Sequence, residues 1–161
     1  DKDGLTAKSG KKNILILNQA LDNNDNLKKN NILSYDTKDF DLGFVRGLSL
    51  EDGAATITEF TGKLLADATL NYISKLSSKP KKILICGGGR KNLTLINCIK
   101  DNMNIGDLVE NIDNYGVDGD FIESQAFAYL AIRSFLNLPI SFPKTTGCIH
   151  PCTGGKLVNN F

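Results

Sequence analysis

A chain of 161 residues is about the size of one domain, or of one lobe of a larger protein. Its formal net charge of +1 supplies no bulk field for nucleic acid or an anionic membrane, so neither is an expected partner. Apolar content of 41% and charged content of 23% are ordinary for a soluble globular chain, apolar runs such as "AFAYLAI" are too short to span a bilayer, and no signal peptide is visible. In chain order, residues 1–12 are polar and Gly-containing and read as a loop continuing something upstream, since the chain opens on Asp1 rather than Met. "NILILNQALD" at 13–22 predicts a short helix, "NNDNLKKNN" a polar linker, and "SYDTKDFDLGFV" an irregular stretch anchored by Phe40, Leu42 and Val45. Ser49 to Asp52 have the form of a capping box, in which Ser49 accepts from a free backbone N–H and Asp52 answers it. Ile57, Phe60, Leu64, Leu65, Ala68, Tyr72 and Ile73 then recur at helical spacing, which predicts a long amphipathic helix over 51–76 with that face in the core.

After Pro80, "KKILIC" predicts a buried-type strand, the glycines a turn, and 92–101 a helix. Residues 107–113 predict a short strand, and 116–120 a turn in which Asp118 or Asp120 caps the next helix. That helix, "FIESQAFAYLAIRSFLNL", is apolar on most sides and is expected to be buried, with Pro139 stopping it. The tail reads as loop with a late strand near 156–158. Strands between helices and a glycine turn after a strand indicate an α/β class, with a sheet that looks incomplete without further chain. The division expected is an irregular segment with a short helix over 1–48, then a lobe over 49–161.

Two stretches carry candidate chemistry. In "ICGGGRKN", Gly87, Gly88 and Gly89 follow a strand and precede a helix, an arrangement that lets backbone approach a ring or a phosphate. A tight structural turn is the alternative, and the stretch leaves both open. The dinucleotide fingerprint fails at Asn92, although Asp107 lies about twenty residues past Gly87 where a ribose-binding acid would fall, and the Walker A pattern is absent. In "GVDGDFIESQAFAYLAIR", Glu123 shares a helix face with Phe127 and Leu130. A carboxylate there is costly unless it caps backbone or pairs with Arg133 or a lysine, which is the plain reading; the functional one is a carboxylate that holds a polyol. Gln125 and Asp118 are weaker versions of the same case. Cys148, His150 and Cys152 in "CIHPC" invite a zinc reading, but the spacing is wrong and no second ligand pair is evident, so a plain loop containing Pro151 is expected. The four cysteines suggest no disulfide framework, which fits a reducing cytoplasm.

Taken together, "DKDGLTAKSG", "GLSLEDGAATITEFT", "ICGGGRKN", "DGDFIESQAFAYLA" and "PKTTGCIHPCTGGKL", in that order, resemble the C-terminal half of the anhydro-N-acetylmuramic acid kinases over essentially the whole chain. The resemblance implies the fold of the sugar-kinase and actin superfamily, two ribonuclease-H-like domains with ATP between them, here a mixed sheet flanked by helices and incomplete without an upstream lobe. It implies Mg-ATP as cofactor, opening of the 1,6-anhydro ring of the sugar by water, and phosphorylation of O6 in bacterial peptidoglycan recycling. It places Gly87, Gly88, Gly89 and Asn92 along the adenosine, with Asn92 either bonding the nucleotide or capping the helix, and moves Glu123, with Gln125, toward the sugar pocket. The family's phosphate loop and its aspartate general base lie upstream, so no catalytic residue and no metal ligand is expected in this chain, which alone should be inactive. Where relatives carry "PPKS" before "DRxDF", this chain has "NILS" before "YDTKDF", and Lys38 is not at the matching position. The expected partners are the sugar and the absent lobe, with a homodimer left open, and the expected location is the bacterial cytoplasm. The competing reading is a truncated, inactive remnant that serves as a nucleotide-binding or interaction module. A nucleotide-cofactor oxidoreductase is disfavoured by the broken fingerprint.

Overall fold

The computed structural model describes residues 1–28 and 37–158, so "NILS" and the first residues of the irregular stretch lie outside the described residues. The chain is a helix-rich α/β protein with a small parallel sheet, and it divides into two compact units, Asp1–Gly119 and Asp120–Phe161. This division falls after Gly119, whereas the sequence places one after residue 48. The reason lies in the N-terminal segment, whose backbone is bonded to side chains beyond residue 48. Lys11 N–H donates to Asp52 Oδ1 at 2.7 Å, and Asn13 N–H donates to Thr56 Oγ1 at 3.0 Å.

Residues 1–12 are not a loop. A 3₁₀ turn at Lys2–Gly4 leads into α1, Leu5–Ser9, because the Asp1 carboxylate accepts from Thr6 N–H (2.9 Å) and Ala7 N–H (3.0 Å) and so satisfies helix-start donors. α2 runs Ile14–Lys28, well past the expected end, and takes in most of the stretch read as a linker. α3, Leu50–Ser74, starts where the sequence places it: Ser49 Oγ accepts from Asp52 N–H at 3.1 Å. The reciprocal half of the capping box is absent, since the Asp52 carboxylate is engaged by Lys11.

The buried stripe of α3 differs from the expected one. Gly53, Thr56, Glu59, Phe60, Gly62 and Ala66 are buried, whereas Leu65 and Tyr72 are exposed. Small residues here let other backbone come close. A Cβ at Gly62 would stand 2.7 Å from Cys98 Cβ of α4, Leu93–Asp101. Thr56, fully buried, donates to Asp52 O at 2.7 Å while it accepts from Asn13. Thr56→Val keeps the shape but leaves Asn13 N–H without its partner. It should cost about 1–3 kcal/mol in urea unfolding followed by circular dichroism, and a change within error of zero would refute that role.

β1, Ile83–Ile85, pairs in parallel with β2, Val109–Asn111, in the register Ile83↔Val109 and Ile85↔Asn111. Ile83 and Ile85 pack toward a core of Ala66, Ile99, Met103 and Val109, while Leu84 is 44% exposed, so the strand alternates rather than being buried on both faces. A second cluster joins Leu17 and Ala20 of α2 to Phe60 of α3, with Phe44 5.2 Å and Phe40 6.5 Å from the Phe60 ring. Phe40 is an anchor as expected, but Leu42 is exposed and Phe44 takes its place.

The second unit holds α5, Ile122–Phe135, and the short α6, Pro143–Thr146. α5 was expected to be buried, yet none of its residues is, and Phe127, Tyr129, Ile132 and Phe135 are each more than half exposed. A unit this short cannot enclose a helix that is apolar on most sides. Instead of the late strand at 156–158, the backbone pairs Ser141 with Cys152.

Candidate functional site

The end of β1 delivers the chain into the glycine turn. Gly87 has φ +80°, a conformation that side chains make costly, and a 3₁₀ turn over Gly88–Lys91 comes next. A Cβ at Gly87 or at Gly88 would meet no heavy atom within 4 Å among the described residues, and one at Gly89 would meet only Leu95 Cδ2, at 3.9 Å. Gly88 thus has neither a positive φ nor any neighbour in the described chain that demands glycine there, and Gly89 meets only that one ordinary contact. An apolar cavity of about 340 Å³ adjoins the turn, lined in part by Leu65, Ile85, Gly89 and Leu95.

The turn is held from behind by Arg90, which is 5% exposed. Its Nε donates to both Asp113 oxygens (3.1 and 2.9 Å), its Nη1 donates to Gly87 O (3.1 Å), and its Nη2 lies 3.6 Å from Asp118 Oδ1. The guanidinium beside Asp113, helped by the Gly119 N–H (2.8 Å), holds that carboxyl below its ordinary range. Sequence reasoning passed over Arg90 and Asp113. The available signal was a basic residue immediately after three glycines, with acids clustered further on.

Asn92 forms the cap that was one of its two expected roles. Its Oδ1 accepts from Leu95 N–H at 2.9 Å, so it caps α4. Thr94 Oγ1 donates to Gly4 O at 2.9 Å, which seats the N-terminal turn against the same helix start.

Glu123 and Gln125 belong to the second unit, in the first turns of α5, and both are exposed. Phe121, not an aspartate, occupies the N-cap position of α5 and its side chain makes no cap bond, while Asp118 faces Arg90. Arg133, considered as a partner for Glu123, instead donates to Pro139 O (2.7 Å) and to Tyr129 Oη (3.2 Å), and it stacks over the Tyr129 and Phe142 rings. Cys148 and Cys152, like the other two cysteines, are free thiols. No group of three or more His, Cys, Asp or Glu that could hold a metal occurs among the described residues.

A buried polar cluster also went unread in the sequence. Glu59 of α3, 7% exposed, takes Lys12 Nζ (3.1 Å) and Cys98 Sγ (3.3 Å) on one oxygen and Asn102 Nδ2 (3.1 Å) on the other. Burial alone would raise the Glu59 carboxyl, but the bonds from Asn102, Cys98 and Lys12 outweigh it and the group sits below its ordinary value. Burial and the same carboxylate push the Cys98 thiol up to about 11, which leaves it protonated and unreactive at neutral pH.

No helix among the described residues is long and apolar enough to cross a membrane. A family model described as anhydro-N-acetylmuramic acid kinase matches residues 1–160. Among curated relatives of that name, the protein of Pelagibacter ubique (strain HTCC1062) is 49% identical over 161 residues, 100% of this chain and 43% of that protein. That of Zymomonas mobilis is 44% identical over 124 residues, 77% of this chain and 32% of the relative. That of Rhodospirillum rubrum is 39% identical over 155 residues, 96% and 40% respectively. The chain thus spans less than half the length of these relatives, in agreement with a resemblance to one half of such a protein. With a model match across nearly its full length and relatives well above 30% identity, the chain belongs to the anhydro-N-acetylmuramic acid kinase family.

Proposed function

We propose that this chain is the C-terminal, nucleotide-side part of an ATP-dependent kinase. The whole protein would open the 1,6-anhydro ring of anhydro-N-acetylmuramic acid and phosphorylate O6, giving N-acetylmuramic acid 6-phosphate for reuse of cell-wall peptidoglycan in the cytoplasm. The observation that carries the nucleotide assignment is Gly88, a glycine whose missing side chain faces open space rather than packed protein. A turn shaped in this way suits close approach by a ligand ring. Family membership supplies the substrate class, and the greater length of the relatives leaves room for the rest of the active site, including an aspartate general base.

In this reading the lobe is ribonuclease-H-like once joined to its upstream partner. The backbone of Gly87, Gly88 and Gly89 runs along the adenosine, Asn92 holds the start of α4 behind it, and Glu123 and Gln125 serve the sugar pocket. ATP supplies the phosphoryl group, and Mg²⁺ is carried by its phosphates and by water. The test is a titration of the 161-residue chain with a fluorescent ATP analogue, paired with a sugar-phosphorylation assay. We expect saturable binding without turnover, and turnover in a chain that also carries the upstream residues. Absence of saturable binding at millimolar analogue would refute the nucleotide assignment, and turnover by the short chain alone would refute the half-site reading.

A further inference from the structure

We propose that Arg90 is a positioning residue that fixes the shape of the glycine turn, and that it does not contact phosphate. Its functional meaning rests on the nucleotide reading above; its structural content does not. Four hydrogen bonds close a ring around the turn. Gly87 N–H donates to Gly119 O at 2.9 Å, Gly119 N–H donates to Asp113 Oδ1 at 2.8 Å, Arg90 Nε donates to that carboxylate, and Arg90 Nη1 donates to Gly87 O at 3.1 Å. Both backbone polar groups of Gly87, the residue at φ +80°, are thereby engaged.

An arginine so close to a glycine turn invites a role as a phosphate ligand. The geometry argues otherwise. The side chain is buried, and its charge faces two carboxylates, Asp113 and Asp118. An independent mark of the fit is Gly119, where a Cβ would stand 2.5 Å from Arg90 Nε and 2.7 Å from its Cδ, so the guanidinium stem occupies the space that glycine leaves. Lysine cannot replace it: one ammonium on a flexible stem does not reach a carboxylate and a carbonyl in the fixed directions of a planar fork.

The test is residue-resolved amide exchange by NMR on the full chain, in the wild type, Arg90→Lys and Gly119→Ala. Loss of charge-assisted bonds should speed exchange at Gly87 N–H by about tenfold or more in both variants and weaken binding of a fluorescent ATP analogue. Unchanged Gly87 exchange in a folded variant overturns the proposal. Should both variants fail to fold, the wild type decides alone: the Arg90 Nε–H should exchange far more slowly than that of the exposed Arg46, and equal rates overturn the proposal. Analogue binding by the wild type reports separately on the nucleotide reading. If the wild type binds nothing, that reading falls, while Gly87 exchange still decides the role of Arg90.

Discussion

Asn102→Ala should destabilise the chain by about 1.5–3 kcal/mol at pH 7, the range for a hydrogen bond to a charged group. Asn102 Nδ2 is the partner of Glu59 Oε1 (3.1 Å), and it also donates to Cys98 O at 2.7 Å. Truncation leaves a buried carboxylate oxygen unpaired where α3 and α4 meet, and removal of one partner from a buried charged group is the costly change. The pH dependence is specific. In the wild type the lowered Glu59 carboxyl contributes stability that is present above its unfolded value of about 4.3 and is lost as pH falls through the folded value. In the variant the burial remains and the strongest opposing bond is gone, so the carboxyl moves up and the ionised form is penalised. The difference between the two proteins should therefore be full at pH 7 and shrink toward pH 3. Urea unfolding at both pH values measures it, and an equal difference at each would mean that the loss is one of packing and not of charge.

Gly88→Leu should leave stability within about 0.5 kcal/mol of the wild type, as for a surface change that breaks no contact, yet weaken binding of an ATP analogue by at least about tenfold, the effect of some 1.4 kcal/mol. The two halves of this expectation come from one fact. No heavy atom of the described chain lies within 4 Å of where the new Cβ would stand, and the residue has no positive φ to strain. Gly87→Leu makes the contrast, since its φ of +80° carries a strain of about 1–2 kcal/mol whether or not a ligand is present. Thermal unfolding with and without analogue separates the variants. Undiminished binding by a folded Gly88→Leu would show that the open face of the turn is not where the nucleotide lies.

Local chemistry was legible wherever a short segment settles its own conformation. Ser49 begins α3, the apolar triplet 83–85 forms β1, and 93–101 forms a helix, because caps, β-branched residues and periodic spacing act within a few residues. The ordered set of motifs was legible in the same way and placed the chain in its family. Asn92 marks the boundary of such reading. The type of residue fitted both a nucleotide contact and a cap, and only the position of Leu95 N–H shows that the cap forms.

What the sequence hid was decided by segments distant along the chain. The stripe of α3 that becomes buried runs through Gly53, Thr56, Glu59, Gly62 and Ala66, small or polar residues that a search for large apolar periodicity passes over. Thr56 and Gly62 are buried where the segment after α1 and α4 approach, and the close approach at Gly62 leaves no room for bulk. Glu59 looked like a surface charge and is instead satisfied by Lys12, Cys98 and Asn102, each on a different turn or element. α5 looked like a core helix, yet among the described residues it has none of the burial its composition suggests, because burial requires partner surface that a pattern along one helix cannot supply. Arg90 likewise acquires its role from Asp113 and Gly119, both far along the chain from it. The sequence by itself thus determined the family, the starts of α3 and α4 and the glycine turn, all read from residues close along the chain. Which side chains back that turn and which face of α3 is core were decided only by tertiary contact, since burial and charge pairing depend on what a residue meets in space.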